Sequence, residues 1–347
     1  MTLEIGALDR ITDVVPKYHP KSNSDKQSRA APLRTERHEP YKIHHADAFA
    51  WLESCEPQSI HAIVTDPPYG LKEYSDAEKK KLRKGRGGVW RIPPSFDGCK
   101  RSPIPRFTVL DETDLFALRA FFEKFGRFAI RALVPGGHVM IATNPLLSHV
   151  VYLPLIEAGF EKRGEIIRLV QTLRGGDRPK NAHNEFSGVS VMPRSSWEPW
   201  GLFRKPCEGR VQDNLRKWGV GGLRRISEDE PFTDVIRSAP TRPEERKIAP
   251  HPSLKPQAFM RQIVRAALPL GRGVVLDPFM GAGSTIAAAR AIGYQSIGIE
   301  QDPAYFRIAQ KAIPGLAQLK VNGASSANGS AGGNSVATKR PKADSHQ

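Results

Sequence analysis

Two aspartate–proline pairs, each closing an apolar run, are the residues of this chain best placed to do chemistry. The first run, His61 to Thr65, ends in Asp66-Pro67-Pro68-Tyr69. Two adjacent prolines have no N–H to give a β-ladder, so a strand stops where they stand. They leave a carboxylate and an aromatic ring on a stiff loop at the strand's carboxyl end, the edge where open α/β sheets bind ligands. Alone, Pro-Pro is a rigid turn, and the rest of the chain has to show whether it is more.

The second run, Val274 to Leu276, leads into Asp277-Pro278-Phe279, then Gly281 and Gly283, then an Ala-rich helix that starts at Ser284 and Thr285. A following strand ends in Glu300, 23 positions after Asp277. This is a βαβ unit with glycines that admit a ligand close to the backbone and an acid spaced to grip ribose hydroxyls. A dinucleotide fingerprint needs a third glycine where Ile286 stands. Asp277 would also repel a pyrophosphate and attract a ligand with ammonium and sulfonium groups. S-adenosylmethionine is such a ligand, which leaves an NAD-dependent oxidoreductase as the weaker alternative. Just upstream, His251, Ser253 and Lys255 stand on a proline-bracketed turn before a helix, offering donors and a cation near the glycines.

The elements that must position these groups alternate as strand and helix, the mark of a doubly wound α/β domain. Strands are expected at 41–47, 61–66, 138–143, 161–172, 273–277 and 296–300. Helices are expected at 48–55, 115–133, 149–160 (despite Pro154), 258–268, 284–293 and 304–313. From about 174 to 250 the alternation fails apart from one strand-like run, "EPWGLFRK", whose Trp200 and Phe203, with Trp197, read as packing. The expected organisation is a mobile basic arm at 1–38, halves of one domain at 39–170 and 251–320, an irregular region at 171–250, and a disordered Gly/Ser/Asn-rich tail at 321–347.

A net charge of +16 over 347 residues favours a polyanionic partner. Ten basic residues against one acid between Lys79 and Arg106, with Trp90 among them, suit a flap closing on phosphates. Cys55, Cys99 and Cys207 lie far apart without a CxxC pair, so neither a disulfide framework nor a metal site is expected. No apolar run approaches the ~18 residues that span a bilayer. The first residues, "MTLEIGALDR", lack the apolar core of a signal peptide, and a cytoplasmic protein is expected.

Together the three stretches resemble the amino-methyltransferases of DNA, which methylate adenine N6 or cytosine N4. Asp66-Pro67-Pro68-Tyr69 matches their catalytic [DNS]-P-P-[YFW] motif, Asp277 to Gly283 their DPFxGxG cofactor motif, and His251 to Pro256 the HPxxKP segment before it. The order is similar to the β-type arrangement, so the resemblance implies a permuted Rossmann-like S-adenosylmethionine-dependent methyltransferase fold with 171–250 as the target-recognition region. It also implies a ribose-binding Glu300 and an Asp47 near the cofactor adenine, although Ala46 replaces the usual preceding glycine. Asp66 and the Pro67 carbonyl would polarise the amine, and Tyr69 would stack on a base flipped out of double-stranded DNA. Arg174, Arg178, Arg194, Arg204 and Arg210 are candidates for reading guanines or holding phosphates. Asp rather than Ser at the first catalytic position leans toward adenine over cytosine; an RNA or a protein amide is an alternative acceptor, although the protein-acceptor form usually begins with Asn. A homodimer and a cognate restriction endonuclease are further partners that the resemblance suggests.

Overall fold

The run that ends at Thr65 lies in the middle of a sheet because it is apolar on both faces. The structure, a computed structural model, describes residues 34–38 (backbone only), 41–68, 111–170, 179, 181–182, 184–191, 193 and 196–321. The expected arm over 1–33, Tyr69, the basic flap at 79–106, Cys99, Arg174, Arg178, Arg194 and the tail from 322 lie outside the described residues.

In chain order the elements are β1 (Arg34–His38), β2 (Tyr41–His45), α1 (Ala48–Ser54), β3 (Ile60–Thr65), α2 (Glu112–Ala132), β4 (Leu133–Ala142), α3 (Ser148–Glu157) and β5 (Glu161–Leu169). There follow β6 (Trp197–Arg204), α4 (Val211–Trp218), β7 (Val235–Arg237), α5 (Pro243–Ile248), α6 (Gln257–Ala267), β8 (Val274–Asp277), α7 (Ser284–Ala291), β9 (Gln295–Glu300) and α8 (Pro303–Gln318). Among the described residues the strands form one sheet in the order β1-β2-β9-β8-β3-β4-β6-β5-β7. Only β1 and β6 run against the rest. The two halves of the expected domain meet at its centre, where β3 pairs in parallel with β8 through Ala62↔Val275 and Ile63↔Leu276. Parallel neighbours put the ends of both strands, and so Asp66 and Asp277, at the same carboxyl edge.

Alternate residues of these strands feed opposite layers. Ile63, Val139, Ile141 and Leu276 pack on α1, α2 and α3 with the fully buried Phe122 and Phe125. Ala62, Val64, Met140 and Val275 pack on α6 and the outer side of α7. Each buried phenylalanine contributes about 1.5–3 kcal/mol of stabilisation. Helix α2 starts where Asp111 and Asp114 form a reciprocal capping box, and it buries Leu118, Phe122, Phe125 and Ala129 at helical spacing. A third cluster joins Tyr41 and Ile43 of β2 to Ile286, Phe306 and Ile313.

Three details depart from the sequence reading. Residues 34–38, placed at the end of the arm, pair antiparallel with β2, and the polar "RTERH" suits an outermost strand whose free edge must stay unattractive to other chains. Strand β4 starts at Leu133 rather than 138, because a bulge between Ile60↔Leu133 and Ala62↔His138 absorbs Pro135-Gly136-Gly137. Within 171–250, β6 enters the body of the sheet between β4 and β5. Its Trp200 and Phe203 are fully buried, whereas Trp197, expected to pack, sits at the strand's start and is 36% exposed.

Candidate active site

At the carboxyl edge, Thr65, the last residue of β3, reaches across to the neighbouring strand. Its hydroxyl donates to Asp277 Oδ1 at 2.7 Å in a fully buried setting. Asp277 Oδ1 also accepts from the Phe279 N–H at 3.1 Å, and the Thr285 hydroxyl donates to the same carboxylate. Burial nevertheless pushes the Asp277 carboxyl up to about 6, against the pull of these hydrogen bonds. Asp277 thus fixes the loop that follows it.

That loop bends through Gly281 (φ +52) and Gly283 (φ +85), the N-cap of α7. A side chain at Gly283 would meet Ile313 at 2.5 Å, and one at Gly281 would meet the His251 ring at 3.2 Å. Both glycines are therefore needed for backbone conformation and for close approach. Glu300, at the end of β9, accepts from the Gly281 N–H at 3.0 Å and the Asp302 N–H at 2.8 Å. Burial raises its carboxyl as well.

The turn before α6 closes over this loop. The Lys255 N–H donates to the Ser284 hydroxyl at 3.3 Å, and the Gln257 side chain donates to the Ser284 carbonyl at 2.9 Å. His251 stands edge-on to Tyr305 with ring centroids 4.3 Å apart. Its Nδ1 accepts from the Ser253 N–H at 3.1 Å. Burial, reinforced by the Lys255 charge, lowers its pKa to about 4, so the ring is neutral at pH 7.

Asp66 stands on the opposite wall. Lys255 Nζ lies 2.5 Å from Asp66 Oδ2, and both side chains are largely enclosed, at 10% and 18% exposure. Asp66 Oδ1 is buried without a hydrogen-bond partner among the described residues. Burial pushes this carboxyl up, and the Lys255 charge beside it pulls the other way. Pro67 is buried and Pro68 exposed. Behind the pair stands a group that the sequence reading missed: Glu198 of β6, 3.8 Å from Lys255 Nζ and held by Arg168 at 3.2 Å and the Trp200 indole at 2.8 Å.

A narrow cleft joins the two walls. Of the expected residues, Asp66, His251, Ser253, Lys255, Asp277, Phe279, Gly281, Ser284 and Thr285 line it, together with Leu254, Met260, Met280 and Ala282. Pro278, Gly283, Glu300 and Asp47 are not among its lining residues. Asp47 instead caps α1, accepting from the Ala50 N–H at 2.9 Å, beside β9 through the Ala46 N–H bond to the Glu300 carbonyl. An aspartate just ahead of "AFAWLES" is a helix N-cap signal legible in the sequence. Arg204 is no free base reader: its guanidinium is tied to Glu161 and to the Gly221 carbonyl within the fold. Arg210 is exposed, at the N-cap of α4.

The sequence profile of the DNA methylase family, covering N6 and N4 enzymes, matches residues 60–311, a span that holds both walls of the cleft. This chain belongs to that family. The methylase is similar to the type II methyltransferase M2.DpnII of Streptococcus pneumoniae, 22% identical over 269 residues that cover 78% of this chain and 88% of that one. It is similar also to M.HinfI of Haemophilus influenzae, 38% identical over 275 residues, 77% of this chain and 66% of that one. Among solved structures, the cytosine-N4-specific PvuII DNA methyltransferase shares the fold with a TM-score of 0.51 at 12% identity, over 81% of this chain and 87% of that one. The methylase has the permuted fold of the S-adenosylmethionine-dependent methyltransferases, and it is an S-adenosylmethionine-dependent DNA methyltransferase. No helix among the described residues is long and apolar enough to cross a membrane.

Proposed function

We propose that the methylase transfers its methyl group to N6 of an adenine flipped out of double-stranded DNA at a specific sequence. The observation that carries this reading is the shared cleft, where Asp66, with one buried oxygen lacking a partner, faces the glycine loop at Gly281. The residues on the second wall fit the methyl donor. Gly281 and Gly283 leave backbone that side chains would block, Phe279 offers a ring, and the Asp277 charge favours a cationic ligand. S-adenosylmethionine, when bound, supplies an electrophilic methyl group on a sulfonium.

The remaining work falls to this chain. An exocyclic amine is a weak nucleophile because its lone pair is delocalised into the ring. Asp66 Oδ1 would accept one N–H of that amine and the Pro67 carbonyl the other, which draws the nitrogen toward tetrahedral geometry. Fixed acceptors of this kind need little reorganisation as charge develops. Asp66 must be ionised to act so, and Lys255 favours that state in a buried setting. The amine cannot reach the cleft from inside a duplex, and unstacking the base costs a few kcal/mol, offset in part by stacking on Tyr69 at about 1–3 kcal/mol. Glu300 grips the ribose through the carboxylate that braces Gly281, and the region 171–250 reads the target. Asp rather than Ser at position 66 favours adenine over cytosine. The reaction takes place on cytoplasmic DNA, with a restriction endonuclease of the same specificity as counterpart.

The test is to express the chain in a host free of DNA methylation and analyse its genomic nucleosides by mass spectrometry. N6-methyladenine is the expected product, N4-methylcytosine would replace the base assignment, and unmodified DNA would overturn the reading.

A further inference from the structure

Behind Asp66 the charges alternate through the protein: Arg168 on β5, Glu198 on β6, Lys255 before α6, then Asp66 at the end of β3. The arrangement is anchored at its far end. Arg168 is 5% exposed, its Nε donates to Ser238 at 3.1 Å and its Nη2 to the Ala239 carbonyl at 3.2 Å. The Glu198 carboxylate is held on one oxygen by Arg168 and on the other by the Trp200 indole. That second oxygen is also the one 3.8 Å from Lys255 Nζ. The Lys255 ammonium therefore has two acidic neighbours, a close one at Asp66 and a looser one at Glu198. A lone ammonium clamped on Asp66 would compete with the incoming amine for the carboxylate's electrons.

We propose that Glu198 is a positioning residue for methyl transfer: it shares the Lys255 ammonium with Asp66 and so keeps the catalytic carboxylate available to the target amine. This rests on the methyl-transfer reading of the cleft. It gives β6, which antiparallel pairing brings into the sheet, a role in the chemistry of β3. Among the described residues, the charged groups that face Asp66 are Lys255, Glu198, Arg168 and, from β8, Asp277.

The experiment is single-turnover methyl transfer from tritiated S-adenosylmethionine to unmethylated bacterial genomic DNA, followed against pH, with cofactor affinity from calorimetry. Glu198→Gln lets Lys255 settle wholly on Asp66, so the plateau rate falls about tenfold or more while cofactor affinity stays within about threefold. It also removes a negative neighbour, so the acid limb of the profile moves to lower pH. Glu198→Asp, which keeps the charge, returns the limb toward its original place. Lys255→Met moves it the opposite way, to higher pH. An unchanged rate, a slower rate with an unmoved limb, or a parallel loss of cofactor affinity each overturns the proposal. Where Glu198→Gln does not fold, Glu198→Met, which removes the charge at nearly the same side-chain length, carries the test: a wild-type rate or an unmoved acid limb there overturns the proposal. Absence of methyl transfer by the wild-type chain would instead sink the activity itself.

Discussion

The ends of β3 and β8 make a controlled pair. Both strands end in Asp-Pro, they lie side by side in parallel, and both carboxylates face the same cleft. Their surroundings differ. Asp277 is fully enclosed and takes hydrogen bonds from Thr65, Thr285 and the Phe279 N–H. Asp66 has a lysine on one oxygen and, among the described residues, no hydrogen-bond partner on the other. A buried polar atom without a partner costs about 1–3 kcal/mol, a cost that a fold tolerates where a ligand will supply the partner. The same dipeptide is thus a brace on one strand and a reactive group on the next, and the hydrogen-bond partners decide which.

The sharpest way to break this contrast is to remove each carboxylate and compare what is lost. Asp66→Ala should lower methyl transfer about a hundred- to a thousandfold, the scale seen when a preorganised polar contact to the reacting group is deleted. Cofactor affinity, measured by calorimetry, should stay near wild type, because the glycine loop is anchored on β8. An Asp66→Ala protein that still methylates DNA would remove Asp66 from the chemistry altogether.

Next in size is Gly283→Ala. This position caps α7 at φ +85, and a methyl group there would meet Ile313 at 2.5 Å. Strain and overpacking together should cost about 2–4 kcal/mol of stability, read from the urea midpoint. Cofactor affinity should fall with it, whereas Asp66→Ala should spare affinity. A substitution without effect would mean that the loop is not held as Asp277 holds it here.

What the sequence revealed and what it hid divide along the same line. Strand β3 was legible because an unbroken apolar run ends in two prolines, and β8–α7–β9 because glycine spacing and a terminal acid are local patterns. That Asp47 precedes a helix and Glu300 ends a strand was legible, but their hydrogen bonds to the backbone at Ala50, Gly281 and Asp302 depend on how loops close. Glu198 was hidden for a stronger reason. Residues 66, 198 and 255 come together only through the antiparallel insertion of β6 beside β4, and no sequence spacing encodes that. The β4 bulge was hidden likewise, since Pro-Gly-Gly after a helix reads equally well as a turn. Arg204 looked like a DNA contact because its charge is visible in sequence and its partner Glu161, on the adjacent strand, is not.

Thr65→Val tests the link between the two strand ends. The change keeps the size of the side chain and removes one donor from a buried carboxylate, for an expected loss of about 1–3 kcal/mol. Methyl transfer at saturating cofactor should change little, because Asp66 keeps its lysine. A loss of rate as large as that of Asp66→Ala would mean that the two carboxylates act as one unit.

The smallest effect separates charge from hydrogen bonding at Asp277. Burial raises its pKa from 3.8 to about 6, so the folded protein holds that proton more tightly than the unfolded chain does. Stability associated with the proton is therefore present below about pH 4 and is lost as pH rises toward about 6. Asp277→Asn preserves the shape of the group and does not titrate. Its stability relative to wild type should improve across that window and then level off, as measured by urea midpoints at about pH 4 and pH 7.5. Cofactor affinity should weaken at pH 7.5, because the uncharged side chain no longer attracts a cation. A stability difference that stays flat with pH would mean that hydrogen bonds fully offset the cost of burying the charge. Of the two Asp-Pro strand ends, Asp66, whose carboxylate has fewer donors, would then be the one under electrostatic strain.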